Sequence, residues 1–78
     1  MAISRRDALK RLEGLALVVE GHLDKIVNQP RSSSVRHWRH EVETWIEQVE
    51  AVLPAVGKKT AETWHARIRR WNEIIGDA

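Results

Sequence analysis

The sequence predicts an all-α fold, a small antiparallel three-helix bundle, and three observations carry that reading. Apolar residues recur at alternating three- and four-residue steps in three separate stretches. Capping residues and helix breakers stand at the ends of each stretch. The connections between them are short. The first stripe is Leu9, Leu12, Ala16, Val19, Leu23, Ile26; the second Val35, Trp38, Val42, Trp45, Val49, Val52; the third Ala61, Trp64, Ile68, Trp71, Ile75. Steps averaging about 3.5 residues keep each stripe on one side of an α-helix, and such stripes are buried only against one another.

The first helix is expected over residues 5–28. Ile3-Ser4-Arg5-Arg6-Asp7 reads as a hydrophobic staple and capping box, with Ser4 as N-cap and Asp7 three positions on. At about 1.5 Å per residue this helix is about 36 Å long. Pro30 ends it, because the residue before a proline is forced out of the α region. Arg31-Ser32-Ser33-Ser34 is then a turn whose serines offer N-caps to a second helix over residues 34–53. Pro54 and Gly57 break the chain, and Thr60 is the expected cap of a third helix over residues 61–75. Short connections make sequence neighbours antiparallel. The whole of residues 1–78 is read as one helical domain.

Size and composition narrow the function. A chain of 78 residues buries roughly 60% of its unfolded surface, enough for one core and too little for a deep enclosed pocket. It has no cysteine, so disulfides, thiolate metal sites and cysteine nucleophiles are excluded. The longest apolar run, Leu15 to Val19, is far short of the roughly 20 residues that span a bilayer, and the basic start lacks the apolar core of a secretory signal. A cytoplasmic protein that does not enter membranes is expected.

Charge is small in sum and uneven along the chain. The net charge is +2, but residues 1–39 hold eight Lys/Arg against four Asp/Glu, and residues 40–78 five against seven. Antiparallel packing sets the start of the first helix beside the Gly57 turn, so Arg5, Arg6, Lys10, Arg11, Lys58 and Lys59 gather at one basic end. Arg31, Arg36, Arg39, Arg67, Arg69 and Arg70 gather at the other, with Glu41, Glu43, Glu47 and Glu50 between. Two basic ends about an acidic belt make a poor continuous phosphate track, and no helix-turn-helix with a polar recognition helix is present. Nucleic-acid binding by the first basic end therefore stands as the alternative function.

The run His22-Leu23-Asp24-Lys25-Ile26-Val27-Asn28-Gln29-Pro30, followed by Ser32-Ser33-Ser34 and Trp38-Arg39, resembles the bacterial family catalogued as "domain of unknown function twenty-nine". Pro54 and Trp64-His65-Ala66-Arg67 fall at comparable places, so the resemblance spans about Leu9 to Trp71. It departs in one extra residue of the serine turn and in Trp64 where a tyrosine is expected. It implies an all-helical bacterial or phage protein, and no activity or functional residue.

Three features are candidates for chemistry or recognition. The four tryptophans, with no Phe or Tyr, are either core, each bringing about 150–250 Å² of burial, or interface anchors. Gly14 and Gly21, one heptad apart and off the main stripe with Leu17 between them, read either as local tolerance or as a smooth dimer face. Each interior glycine costs about 1 kcal/mol relative to alanine. His37 and His40 sit three apart on the second helix, and packing brings His22 to their level. Helically spaced histidines can ligate zinc, but arginines flank them and no further ligand is forced close, so no metal is expected. Ser32–Ser34 beside His37 lack an oxyanion hole and an orienting acid, and no glycine-rich phosphate loop exists. No enzyme and no cofactor are expected. The reading is a non-catalytic module that binds a larger protein, of the kind phages and mobile elements encode as inhibitors, anti-CRISPR proteins among them. Trp38, Arg39, Arg70 and Trp71, set near the open end of the bundle, are its expected anchors. A homodimer through the first helix is also expected.

Overall fold

The computed structural model describes residues 3–77 and contains three helices and no strand among them. Helix α1 spans Arg5–Asn28, α2 Val35–Val52 and α3 Lys58–Asp77, with a 3-10 turn at Leu53–Ala55 between the last two. The all-α bundle expected from the stripes is what the chain forms.

The start of α1 is capped as its sequence directs. Ser4 is extended (φ −69°, ψ 154°), and its Oγ accepts from the Asp7 N–H at 3.1 Å. At the far end the Gln29 N–H donates to the Lys25 carbonyl, and Pro30 follows. The serine turn is pinned from within: the Ser32 Oγ accepts from the Ser34 N–H at 3.1 Å, and the Val35 N–H donates to the Ser32 carbonyl. Ser34 itself stands before α2 in the α region and makes no side-chain cap.

The expected start of α3 is corrected. The helix begins at Lys58, three residues before the predicted 61, and Thr60 lies in its first turn instead of capping it. Gly57 is the reason. Its φ of +85° is open to glycine and strained for other residues, so the chain reverses in a single step, and its carbonyl accepts the Ala61 N–H at 2.9 Å. The helix also continues to Asp77, past the predicted 75.

Contacts at both ends fix the directions. Arg5 Nε donates to the Val56 carbonyl at 3.3 Å and its Nη2 to Thr60 Oγ1 at 3.5 Å, bringing the start of α1 to the turn between α2 and α3. Farther along, the His22 ring meets Trp45 edge-on with centroids 4.6 Å apart, and Lys25 Nζ lies 5.9 Å from the Trp38 ring. Thus α2 runs antiparallel to α1, and α3 runs parallel to it. The particle is elongated, 41 × 20 × 14 Å.

The core joins all three stripes with two changes of register. Ala8, Leu12, Ala16, Val19, Leu23 and Ile26 are buried from α1, Ala8 taking the place of the expected Leu9, which is half-buried, and Trp64, Ile68, Trp71 and Ile75 from α3, where the expected Ala61 is half-buried. On α2 the buried set is Val42, Ile46, Val49 and Val52; Ile46 was missing from the expected stripe, while Val35, Trp38 and Trp45 are only half-buried. A 3.6-residue period drifts off a strict 3.5-residue reading, so the stripe rotates by one position over the helix. The two displaced indoles then flank the α1–α2 seam, where His22 and Lys25 cover them. Trp71 is corrected as well. It is 3% exposed, part of the core and no free anchor at an open end. Its bulk and that of Trp64 hold the α3 backbone farther from α1 than the α2 backbone stands.

Candidate partner-binding groove

That wider spacing leaves a groove between α1 and α3. Each helix contributes residues at i, i+3, i+4 and i+7: Glu20, Leu23, Asp24 and Val27 from α1, and Arg67, Arg70, Trp71 and Ile74 from α3. The volume is about 370 Å³ and the groove is open to solvent. Its floor is apolar, made of Leu23, Val27, Trp71 and Ile74. Val27, at the rim of that floor, remains 61% exposed. The walls are charged with opposite signs, carboxylates on α1 and guanidinium groups on α3.

One end of the groove is closed by a built contact. Arg67 Nη2 donates to Glu20 Oε2 at 3.0 Å across the gap. The same guanidinium lies 4.3 Å from the Trp64 ring centroid and 5.4 Å from that of Trp71, and the two indoles meet at 67° with centroids 6.4 Å apart. Delocalised charge over two aromatic faces, with a carboxylate on its edge, holds Arg67 in place. One turn on, Asp24 and Arg70 face the same groove and neither forms an ion pair among the described residues. This end of the groove offers one unpaired acid, one unpaired base and an apolar floor.

The expected anchors therefore divide. Arg70 and Trp71 belong to this groove, Arg70 as a free wall and Trp71 as buried floor. Trp38 is half-buried on the α1–α2 seam, and Arg39 lines a separate shallow depression with Val35, Arg36, His40 and Glu43. The four do not form one surface, because Trp38 turns toward α1 instead of the open end. Sequence reasoning missed Glu20, Asp24, Val27 and Ile74. Each row keeps the helical spacing i, i+3, i+4 and i+7, but nothing in the sequence sets the two rows face to face.

The remaining candidates are placed as follows. Gly14, Leu17 and Gly21 lie exposed on the side of α1 away from the core, Leu17 at 74%, and a Cβ added at either glycine would meet nothing within 4 Å. Of the basic residues, Arg5 is engaged with Val56 and Thr60, while Arg6, Lys10, Arg11, Lys58 and Lys59 are exposed near the same end. Packing does bring His22 level with α2's histidines. Glu41 lies between two of them, 2.7 Å from His37 Nε2 and 3.6 Å from His22 Nε2. The Nδ1–H tautomer of His22 donates to the Val18 carbonyl at 3.1 Å. Among the described residues no three His, Asp or Glu side chains converge on a common ion position, so this trio ties α1 to α2 through a shared carboxylate. No helix of the described residues is long and apolar enough to cross a membrane.

Comparison with protein-family models, with curated proteins and with solved structures yields no match to this chain.

Proposed function

We propose that this protein is a non-catalytic helical interaction module that occupies a surface of a larger protein or complex, in the manner of the small inhibitors carried by phages and mobile elements, anti-CRISPR proteins among them. The observation that supports this reading is the α1–α3 groove: an apolar floor with an unpaired acid and an unpaired base on facing walls. Such a groove suits an apolar side chain of a partner with charged neighbours on either side, the arrangement that anchors a helix or extended segment. The resemblance to "domain of unknown function twenty-nine" adds a bacterial or phage origin to the proposal, and the short apolar runs of the sequence add cytoplasmic residence.

A second reading is supported by one specific contact. Arg5, bound to Val56 and Thr60, draws Arg6, Lys10 and Arg11 toward Lys58 and Lys59, a basic end suited to phosphates. Affinity capture from a bacterial lysate, with and without nuclease, separates the two. The protein-binding reading expects a partner retained after nuclease and lost on Arg70→Ala at unchanged melting temperature. Loss of the partner on nuclease treatment, or on neutralising Arg6, Lys10, Lys58 and Lys59 alone, transfers the function to nucleic acid.

A further inference from the structure

We infer that a second copy of this chain packs on the outer face of α1, with the two α1 helices antiparallel and crossing near Leu17. This surface lies beside the α1–α3 groove, shares only Asp24 with it, and goes beyond the partner-binding reading. Leu17 and Val18, two of the three large apolar side chains left exposed, are adjacent here, at 74% and 40% exposure. Gly14 and Gly21 flank them on the same face, and nothing inside the protomer uses the space their missing side chains leave. One position without a side chain about a turn to either side of an exposed leucine lets a second backbone come close, so the apolar contact is larger than Leu17 and Val18 alone provide.

Charge identifies the occupant and the direction. At 100° per residue, Lys10 and Asp24 lie on the outward face on opposite sides of Leu17, each seven residues from it. A twofold axis through Leu17 therefore sets Lys10 of one copy opposite Asp24 of the other, and does so twice. The same operation brings Asp7 within one turn of Lys25, and Arg6 within about one turn of Asp24. Glu13 and Glu20, which this arrangement brings to one level, stand on the flank, and Glu20 is already held by Arg67. A parallel pair would instead oppose Lys10 to Lys10 and Asp24 to Asp24. The face is complementary to itself in one direction only, as an isologous interface requires.

Sedimentation equilibrium of the full chain, from micromolar to hundreds of micromolar, tests this without any other partner. The wild type is expected to associate reversibly from a 9.0 kDa protomer to a dimer. Leu17→Glu should give protomer only, with unchanged helicity by circular dichroism. Lys10→Glu and Asp24→Lys should each weaken the dimer by about tenfold, since each change acts at two symmetry-related contacts, and the double variant Lys10→Glu/Asp24→Lys should recover it. A wild-type protomer that stays monomeric throughout the range overturns the inference, as does a dimer indifferent to Leu17→Glu. A dimer strengthened by Lys10→Glu, or a double variant no tighter than the single ones, overturns the antiparallel register. Because Leu17 lies outside the groove, its substitution leaves partner capture intact, so failure here is distinguishable from failure of the functional proposal.

Discussion

Arg67 shows how a single side chain closes a small core. It lies over Trp64 and Trp71 and reaches Glu20 forty-seven positions away in sequence. With its side chain 38% exposed, the ion pair is screened and the stack over two indoles carries most of the effect. Arg67→Ala should cost about 1 kcal/mol of unfolding free energy, and Arg67→Lys should recover little of it, because an ammonium lacks the planar face. Chemical denaturation followed by tryptophan fluorescence measures both; a lysine variant as stable as wild type would contradict the stacking argument. The tryptophans divide in the same way. Trp71→Ala removes a buried indole and should cost about 3–5 kcal/mol, enough to abolish cooperative melting in a domain this small. Trp38→Ala, at a half-buried seam, should leave a measurable melt. Equal losses from the two would contradict the division between core and seam. The tryptophan heptads were plain in the sequence, but which indole is buried depends on the rotation of each helix, and that is set by packing across helices.

The contrast between two serines belongs to the helices. Ser4 and Ser34 both stand before a helix in a serine-capping sequence, yet only Ser4 makes the side-chain bond. Ser4→Ala should lower stability by about 1 kcal/mol, while Ser34→Ala should be nearly neutral, since Ser32 Oγ already serves the turn. Thermal melts of the two variants decide it, and equal losses would reject the assignment. The glycines of α1 give the opposite sign. A Cβ at Gly14 or Gly21 meets nothing in the protomer, so each Gly→Ala change should raise the stability of the monomer by up to about 1 kcal/mol, read at concentrations below any self-association. A destabilised monomer would mean that these glycines are needed inside the fold. The α1 boundaries followed from Ser4 and Pro30 because both act through local sterics and one hydrogen bond. The start of α3 did not, since Gly57 reads as a breaker until its positive φ shows that it also begins the helix.

At the scale of the molecule, three stripes meet in one core, and burying an unpartnered charge there should unfold it. Leu23→Asp and Val42→Asp, at positions 5% and 0% exposed, should each abolish cooperative melting, because a carboxylate would lie without a partner in an apolar surround. A cooperative transition retained in both would reject the arrangement of helices. Periodicity made the all-α bundle legible, since a 3.5-residue apolar repeat has few other ways to be buried. The groove was less so. Arg70 and Trp71 stood out by residue type, but Asp24 and Glu20 take part only because α3 runs parallel to α1 at a distance set by two indoles, a tertiary outcome with no local signature. The same spacing turned Trp71 from an anchor into a floor.

The claim that matters most is that this module grips a protein through the groove and not a phosphate backbone through its basic end. The salt dependence of its affinity for the captured partner tests that most directly. Binding through an apolar floor and one or two charged walls should lose only a few-fold in affinity between about 50 and 200 mM salt. Phosphate contacts by Arg6, Lys10, Arg11, Lys58 and Lys59 would release counterions, with a log–log slope of about −0.9 for each phosphate neutralised. A shallow slope together with loss of binding on Arg70→Ala is the predicted result; a slope of about −4 that Arg70→Ala leaves unchanged would contradict the account.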